Sequence, residues 1–416
     1  MQYRAMVRSA ADSHLDLAIV GGGIAGGALA TVMARRGAHV LLLERETRYR
    51  DHIRGEILWQ WGVAEARRLG LEDVLIEAGG LIVPRFVFFD EVAPPAPEDL
   101  ADAVAGIPGS LNLAHPVACE ALVDAAAAAG ADVRRGVADI RIAAGRDPAI
   151  HWSIDGHEVS AAPRLLVGAD GRRSTVRRQV GIDLDIDPPG NCMAGLYVEG
   201  LDGIDVKENL MAREADLLFY AFPQRSGRAR LYLTFPVEQP HRLAGGGSAA
   251  RFLSEASLGC VPDAERWTAG RVAGPCATYL CSDARAERTC VEGVVLVGDA
   301  AGYENPLQGL GLSFALRDVR ELSDLLLATS DWSVEVLERF GTRRSRLRRL
   351  SKLATELDLW INDGYHVQDP AERAARLERA YRDDVVRTLV DAAFVGFDSL
   401  PAGFTADEMW ERLGVT

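Results

Sequence analysis

The chain has 416 residues, 48% hydrophobic and 25% charged, enough for two or three domains with several cores and incompatible with wholesale disorder. Its 60 acidic against 46 basic side chains leave a net charge of −14, which argues against nucleic acid as a partner. Six scattered cysteines without a Cys-x-x-Cys pair fit a reducing cytoplasm, and they give no pattern for a disulfide scaffold, a structural zinc or an iron–sulfur centre.

Residues 1–14 read as a loose leader. No membrane span follows it: the apolar stretch from Leu15 to Ala34 is broken by five glycines and ends at two arginines. Leu15 to Val20 predicts a short buried strand that runs straight into Gly21-Gly22-Gly23-Ile24-Ala25-Gly26. A helix then continues through Ala28, Leu29, Ala30, Val32 and Met33 to about Gly37, and a second strand, Ala38 to Leu43, finishes on Glu44. Strand, glycine turn, helix, strand and acidic residue come in the order a dinucleotide site requires. Gly21 permits the turn, Gly23 lets a pyrophosphate approach, and Gly26 lets the helix pack on the sheet. The helix start offers N–H groups to phosphates. Glu44, 18 residues beyond Gly26, is placed to accept hydrogen bonds from a ribose, which argues against a 2′-phosphate there.

Further along, Phe86 to Phe89 is an apolar run followed by a turn-rich insertion at Pro94 to Pro97. Leu111 to Ala114 is extended, and Pro116 opens an alanine-rich helix that stops at Gly130. Val133–Val137, Ile140–Ile142 and Ile150–Ile154 predict a small meander closed by a hairpin turn at Asp155-Gly156. A third apolar strand ends in Gly168-Ala169-Asp170-Gly171, with basic residues opening a helix after it. Beyond Gly181, Cys192 to Val198, Leu217 to Phe222 and Arg230 to Pro236 predict an antiparallel sheet with one face over a cavity. Ala277 to Ala286 would return the chain to the first domain. Val294 to Val297 leads into Gly298-Asp299, a loop through Pro306 and Gly309 to Gly311, and a helix from Leu312 to Leu327. From Trp332 onward the chain reads as helical, with breaks at Asp363-Gly364 and Asp369-Pro370. The five arginines at 343, 344, 346, 348 and 349 read as a solvated helix face.

Taken together, the three glycine motifs resemble those of the class A flavoprotein monooxygenases, the aromatic hydroxylases of para-hydroxybenzoate hydroxylase type. Flavin-dependent halogenases and geranylgeranyl-type reductases share that architecture. The resemblance runs from about residue 15 to 330. It implies an α/β fold: a Rossmann-like FAD-binding domain in three parts (15–75, 111–185, 286–330), a mixed or antiparallel-sheet substrate domain (76–110 and 186–285), and a C-terminal helical region (331–416). It implies FAD, with Gly21, Gly23, Gly26 and Glu44 on its ADP half and Arg45 and Arg54 approaching it. Asp170 and Gly171 would serve both FAD and a transient reductant, NADPH or NADH. Asp299 would meet the ribityl chain, while Pro306, Gly309 and Gly311 face the isoalloxazine ring at a helix start. Departures from the family pattern are Gly302 for a histidine, Asn305 for the first of two prolines, Ser313 for an asparagine, and Cys119 for an arginine.

The implied reaction passes through a flavin C4a-hydroperoxide that hydroxylates a phenolic, polyketide-like or other electron-rich aromatic molecule with O2, and it asks little acid–base chemistry of the protein. Candidate pocket residues are Tyr220, Phe222 and Tyr232, with core packing as their alternative role, together with Tyr303, Asn305 and Gln308 on the flavin loop. Trp59 and Trp61 are candidates for a wall, His115 for a base, and Arg225, Arg228 or Arg230 for a substrate carboxylate. No metal site is expected, and oligomeric state carries no sequence signal. Two rival activities are weighed. Arg54-Gly55-Glu56 is similar to a halogenase segment, but the only lysines are Lys207 and Lys352, neither in the N-terminal flavin region. Tyr220-Ala221-Phe222-Pro223 is loosely similar to a prenyl-chain reductase segment.

Overall fold

The computed structural model describes residues 14–415 apart from 54, 202, 367, 368 and 402. Parallel strands are buried on both faces, so they are written as near-continuous apolar runs. Leu15–Val20 is such a strand, flanked in parallel by Val40–Glu44 on one side and Pro163–Gly168 on the other. Asp132–Arg135 extends this first sheet beside Val40–Glu44, and Val294–Leu296 extends it beside Pro163–Gly168. Three neighbouring strands thus end, side by side, in Gly21, Ala169 and Gly298, although these lie far apart in the chain. That carboxyl edge is where open α/β sheets bind ligands.

One strand differs from expectation. The strand expected at Val133–Val137 forms at Asp132–Arg135 and belongs to the parallel sheet rather than to the meander; as a half-exposed edge strand it lacks the apolar run of its neighbours. The meander consists instead of Ala138–Ala143, Ala149–Ile154 and His157–Ala161. Its hairpin does turn at Asp155-Gly156, with φ of +49° and +77°, the left-handed pair a two-residue turn needs.

The second sheet has eight strands and is mixed. Asn191–Glu199, Arg228–Phe235, Leu217–Gln224 and Glu208–Glu214 run antiparallel in that spatial order, and Arg85–Asp90 joins parallel to the last. The alternation of side chains along a strand sorts its residues between two faces. Ala194, Leu196, Phe219, Leu231 and Leu233 pack with Phe252 of the helix Ser248–Glu255. Met193, Tyr220, Phe222 and Tyr232 instead face Ile57, Leu307 and the C-terminal helices. Ala277–Cys281 pairs with Asn191–Glu199, so the chain leaves this sheet only after Cys281.

The C-terminal helices are Val334–Ile361, Pro370–Arg382, Asp384–Val395 and Ala406–Leu413. The break after the first is a turn in which Asp363, Gly364 and Tyr365 all have positive φ. Of the five clustered arginines, Arg343 and Arg349 are exposed, but Arg344 and Arg348 are each only 4% exposed. Their spacing of four puts both on one face of the helix, the face that also buries Leu337 and Phe340. A fully solvated arginine face is therefore not what forms. Among the described residues no helix is long and apolar enough to cross a membrane, and no group of side chains could hold a metal ion.

Candidate active site

The first glycine motif is dictated by contact distances. Gly21 has φ of +102°, and a Cβ there would lie 2.5 Å from the Ala169 carbonyl oxygen. A Cβ on Gly26 would come within 1.8 Å of the Gly21 carbonyl oxygen, so the helix Ile24–Arg35 starts where only glycine fits. Gly23 is different, since a Cβ there would meet nothing within 4 Å. Glu44 is buried, and its carboxylate accepts from the Gly22 N–H at 2.6 Å and the Glu46 N–H at 2.7 Å. It therefore holds the turn before it can serve a ribose. Tyr49 donates to the Gly22 carbonyl at 2.6 Å from the other side. Arg45 is 82% exposed and pairs with Glu46, and Arg54 lies outside the described residues.

The second motif acts as a bracket. Asp170 accepts from the Ser174 hydroxyl and from the Thr175 and Val176 N–H groups, so it caps the short helix Thr175–Gln179, and Gly171 turns the chain with φ of +75°. Beyond it, the Arg172 Nε lies 3.4 Å from Asp299 while its guanidinium sits 4.5 Å from the centre of the Tyr303 ring. Arg177 donates to the Ala300 carbonyl at 3.0 Å. The second motif thereby fastens the third.

The third motif explains its own departures. Gly302 has φ of +116°, and a Cβ there would lie 2.4 Å from the Ala284 carbonyl oxygen, because Gly302–Tyr303 pairs with Ala284–Ala286. A histidine has no room there. Ser313 packs so tightly on the neighbouring helix that a Cβ on Gly62 would stand 2.2 Å from its hydroxyl. Asn305, only 2% exposed, accepts from the Leu307 N–H and donates to Asn191, and its own N–H goes to Asp283. It caps the turn Pro306–Gln308, so its expected place beside substrate becomes a loop-holding one. Pro306 starts that turn, where no N–H is needed. Trp59 donates to the Gln308 carbonyl at 2.6 Å and Tyr220 to the Leu307 carbonyl at 2.7 Å. Tyr220 is thus a fastener whose proton is committed to the backbone. Trp61 donates to the Ala393 carbonyl and packs edge-on against Phe314, in the core it shares with the C-terminal helices.

The part that sequence reasoning missed lies behind this loop. Arg344 donates to Asp318 (3.0 Å) and to the carbonyls of Ala301 (2.9 Å), Gly298 (3.0 Å) and Gly302 (3.0 Å). The same Asp318 carboxylate accepts from the Gly298 N–H at 2.9 Å. Arg348 pairs with Glu304 and lies 4.0 Å over the Phe314 ring. The only available signal was the spacing of four between these two arginines.

On the inner face of the second sheet, Glu56 is fully buried and accepts from the Tyr232 hydroxyl at 2.5 Å. Arg230, 1% exposed, approaches Asp51 at 2.6 Å and Glu56 at 3.2 Å. Burial pushes the Glu56 carboxyl up to about 7, against the opposing pull of Arg230 and the Tyr232 hydrogen bond. Burial also drives Tyr232 and Tyr220 well above the ordinary phenol range. Arg225 instead donates to the Gly80 carbonyl and Arg228 pairs with Glu199 near the surface, so only Arg230 points inward. His115 lies at the start of the helix His115–Ala128 with the Cys119 sulfur 3.6 Å from its Nδ1. Cys119 belongs to the core around the first glycine motif, not to the cluster of Tyr220 and Tyr232, so the structure gives His115 no place as a base there.

These residues fit FAD. The helices beginning at Ile24 and Gly311 both lack a capping side chain, which leaves their leading N–H groups for an acceptor. Gly23 and Gly311 leave open space beside those starts. Fold and site together define the class of proteins with a Rossmann-like FAD-binding domain. The FAD binding domain family matches residues 14–350, and the chain belongs to it. Rifampicin monooxygenase of Streptomyces venezuelae is 29% identical over 77% of this chain and 66% of its own, so the chain spans just under two thirds of that relative. Digeranylgeranylglycerophospholipid reductase 2 of Methanopyrus kandleri is 30% identical over 79% of this chain and 82% of its own. The crystal structure of p-nitrophenol 4-monooxygenase PnpA from Pseudomonas putida DLL-E4 superposes with a TM-score of 0.77 at 23% identity, covering 93% of this chain and 99% of that one, and so has the same fold.

Proposed function

We propose that the chain is an FAD-dependent monooxygenase that takes reducing equivalents from NADPH or NADH and places one oxygen atom of O2 on a phenolic or other electron-rich aromatic substrate. The observation that carries this reading is the aromatic, polar face of the second sheet. Tyr220 and Tyr232 on that face bond directly to Leu307 of the flavin loop and to Glu56 of the first domain. Gly21, Gly23, Gly26 and Glu44 would hold the adenosine half of FAD, Asp299 with Arg172 its middle, and the loop from Pro306 to Gly311 its ring. Bound there, FAD supplies hydride acceptance and oxygen activation. The protein's share is orientation and dryness: Phe222, Tyr232 and Ile57 are each at most 5% exposed, so a ring between the domains is shielded from water.

The test is the visible spectrum of the FAD-loaded protein under anaerobic NADPH, with and without a set of simple phenols, followed by admission of O2. Ligand-accelerated bleaching and a product heavier by one oxygen are expected. Protein that takes up no flavin, or that reoxidises without an oxygenated product for any phenol, overturns the reading. A second reading, saturation of prenyl carbon–carbon double bonds, is favoured by the 30% identity to the Methanopyrus kandleri reductase. It predicts that a polyprenyl substrate reoxidises the reduced flavin without O2.

A further inference from the structure

Phe222, Tyr232 and Ile57 are nearly sealed from water, so a molecule bound between the domains needs a way in. One line of touching side chains runs from the surface to the flavin loop. At its inner end Trp59 donates to the Gln308 carbonyl at 2.6 Å and stands so close to Gly309 that a Cβ there would lie 3.2 Å from the indole nitrogen. The Trp59 ring meets those of Phe86 at 5.7 Å and Phe394 at 5.0 Å, and Phe86 and Phe394 are 5.5 Å apart, so the three close a small aromatic box. Trp59 and Phe86 are buried, whereas Phe394 is half-buried. Phe394 is therefore the wall of the box that touches solvent.

The outer end of the line follows from register and helix spacing. Phe86 stands opposite Glu98 on the exposed edge strand Ala96–Asp99, and cross-strand partners share a face. Asp391 lies one turn before Phe394 on the helix Asp384–Val395, hence on the same side. Burial and then the Asp391 charge push the Glu98 carboxyl up; burial, Asp391 and Glu98, in that order, do the same to the phenol of Tyr381. The two carboxylates thus meet at a mouth beside Tyr381, which is 43% exposed.

What holds Phe394 in place is weak. A phenyl ring makes no conventional hydrogen bond, and its two ring contacts are edge-on or tilted, each worth little more than thermal energy. It also sits in the last turn of its helix, just before Gly396, where φ is +90°. Such ends open at low cost compared with a core.

We propose that Phe394 is the door of an entry path to the flavin ring, swinging out from between Trp59 and Phe86 to let a small aromatic molecule pass from the mouth at Glu98 and Asp391 to the loop at Gln308. The inference rests on reading that loop as the seat of the ring. The door also selects. An uncharged aromatic ring takes over the contacts that Phe394 gives up, whereas an anion has to pass two carboxylates. Substrates that arrive as carboxylates are therefore disfavoured against neutral phenols. No bond forms or breaks in this step, and Phe394 acts on entry rather than on the reaction.

The test is anaerobic stopped-flow bleaching of the oxidised, FAD-loaded protein by two reductants of opposite charge, dithionite and the reduced methyl viologen cation, in place of any substrate. Phe394→Ala should speed both severalfold and Phe394→Trp should slow both, with the affinity for FAD unchanged. Asp391→Asn should speed the anion and slow the cation at low salt, and the two effects should fade at high salt. Phe397→Leu is the packing control, since Phe397 is buried and stacks on Phe314 in the same hydrophobic cluster. It should lower the unfolding temperature and leave both rates alone. If Phe394→Ala keeps no FAD, Phe394→Trp and Asp391→Asn decide. Rates that ignore both Phe394 variants, that follow Phe397→Leu equally, or that shift in the same direction for both reductants in Asp391→Asn overturn the proposal. A door that passes these tests in a protein giving no oxygenated product from any phenol survives the failure of the monooxygenase reading. Oxygenation with unmoved rates does the reverse, and protein that takes up no FAD overturns both.

Discussion

The two ends of the flavin site are built on opposite principles. At the adenosine end, Gly26 packs on Gly21 and Glu44 holds Gly22 within about two dozen residues, and only the limit at Gly21 comes from afar, from the Ala169 carbonyl. At the ring end, the loop from Gly298 to Gly311 has little local support of its own. It is held by Arg344 and Arg348 from a later helix, by Trp59 from an earlier segment and by Tyr220 from the other domain. The first end is mostly a local shape, closed from afar by Ala169 alone. The second is a clamp assembled from distant parts, and its strength is that of buried, charge-assisted hydrogen bonds.

That contrast can be attacked from either end. The largest effect is expected for Gly26→Val, whose side chain would collide with the Gly21 carbonyl; the purified protein should carry no flavin and unfold early. Gly23→Ala, with open space around it, should leave thermal unfolding of the FAD-free protein unchanged while weakening FAD binding, measured by flavin fluorescence. If both variants behave alike, the adenosine end is not set by packing. Next, Arg344→Met strips three loop carbonyls of a donor and leaves Asp318 with the Gly298 N–H and the more distant Arg348. It should cost about 3–5 kcal/mol in denaturant unfolding, the range for breaking a buried pair. A loss below about 0.5 kcal/mol would be that of an ordinary surface arginine and would dismantle the clamp.

Tyr220→Phe removes one hydrogen bond to the Leu307 carbonyl and should cost about 1 kcal/mol, with faster release of FAD as the sign that the loop has loosened. The smallest effect concerns pH. Because burial raises the Glu56 carboxyl from 4.5 to about 7, the folded protein holds more proton than the unfolded chain between those values. Its contribution to stability therefore declines as pH rises through that window. Glu56→Gln should flatten this part of the stability–pH profile, measured as urea midpoints across the range; an unchanged slope would assign it elsewhere.

Legibility followed the same divide. The glycine turn, its flanking strands and Glu44 were readable because their relations lie in short spacings. The convergence of three motifs on one sheet edge was readable only through their order and resemblance. Arg344 and Arg348 were not, since five arginines on a helix do not say which face meets a partner until that partner is placed. Tyr232 and Glu56 touch across 176 residues, a separation no spacing rule spans. The strand read at Val133–Val137 as part of the meander joins the parallel sheet instead, because an edge strand need not be apolar. Asn305 and His115 were polar residues in promising order, and only coordinates showed that one caps a turn and the other sits by Cys119.

The clamp also sets an order of events during synthesis. A chain leaves the ribosome from its N-terminus, and domains tend to fold as they emerge. The local part of the glycine turn, Gly26 on Gly21 and Glu44 on Gly22, can form once the first few dozen residues are out. The loop beneath the flavin ring has to wait for Arg344 and Arg348, nearly fifty residues after Gly298, before its carbonyls and Asp318 are satisfied. A nascent chain can therefore set the local geometry of the adenosine end long before it can grip the ring, and a complete grip on the cofactor waits for a helix that does not belong to the nucleotide-binding sheet.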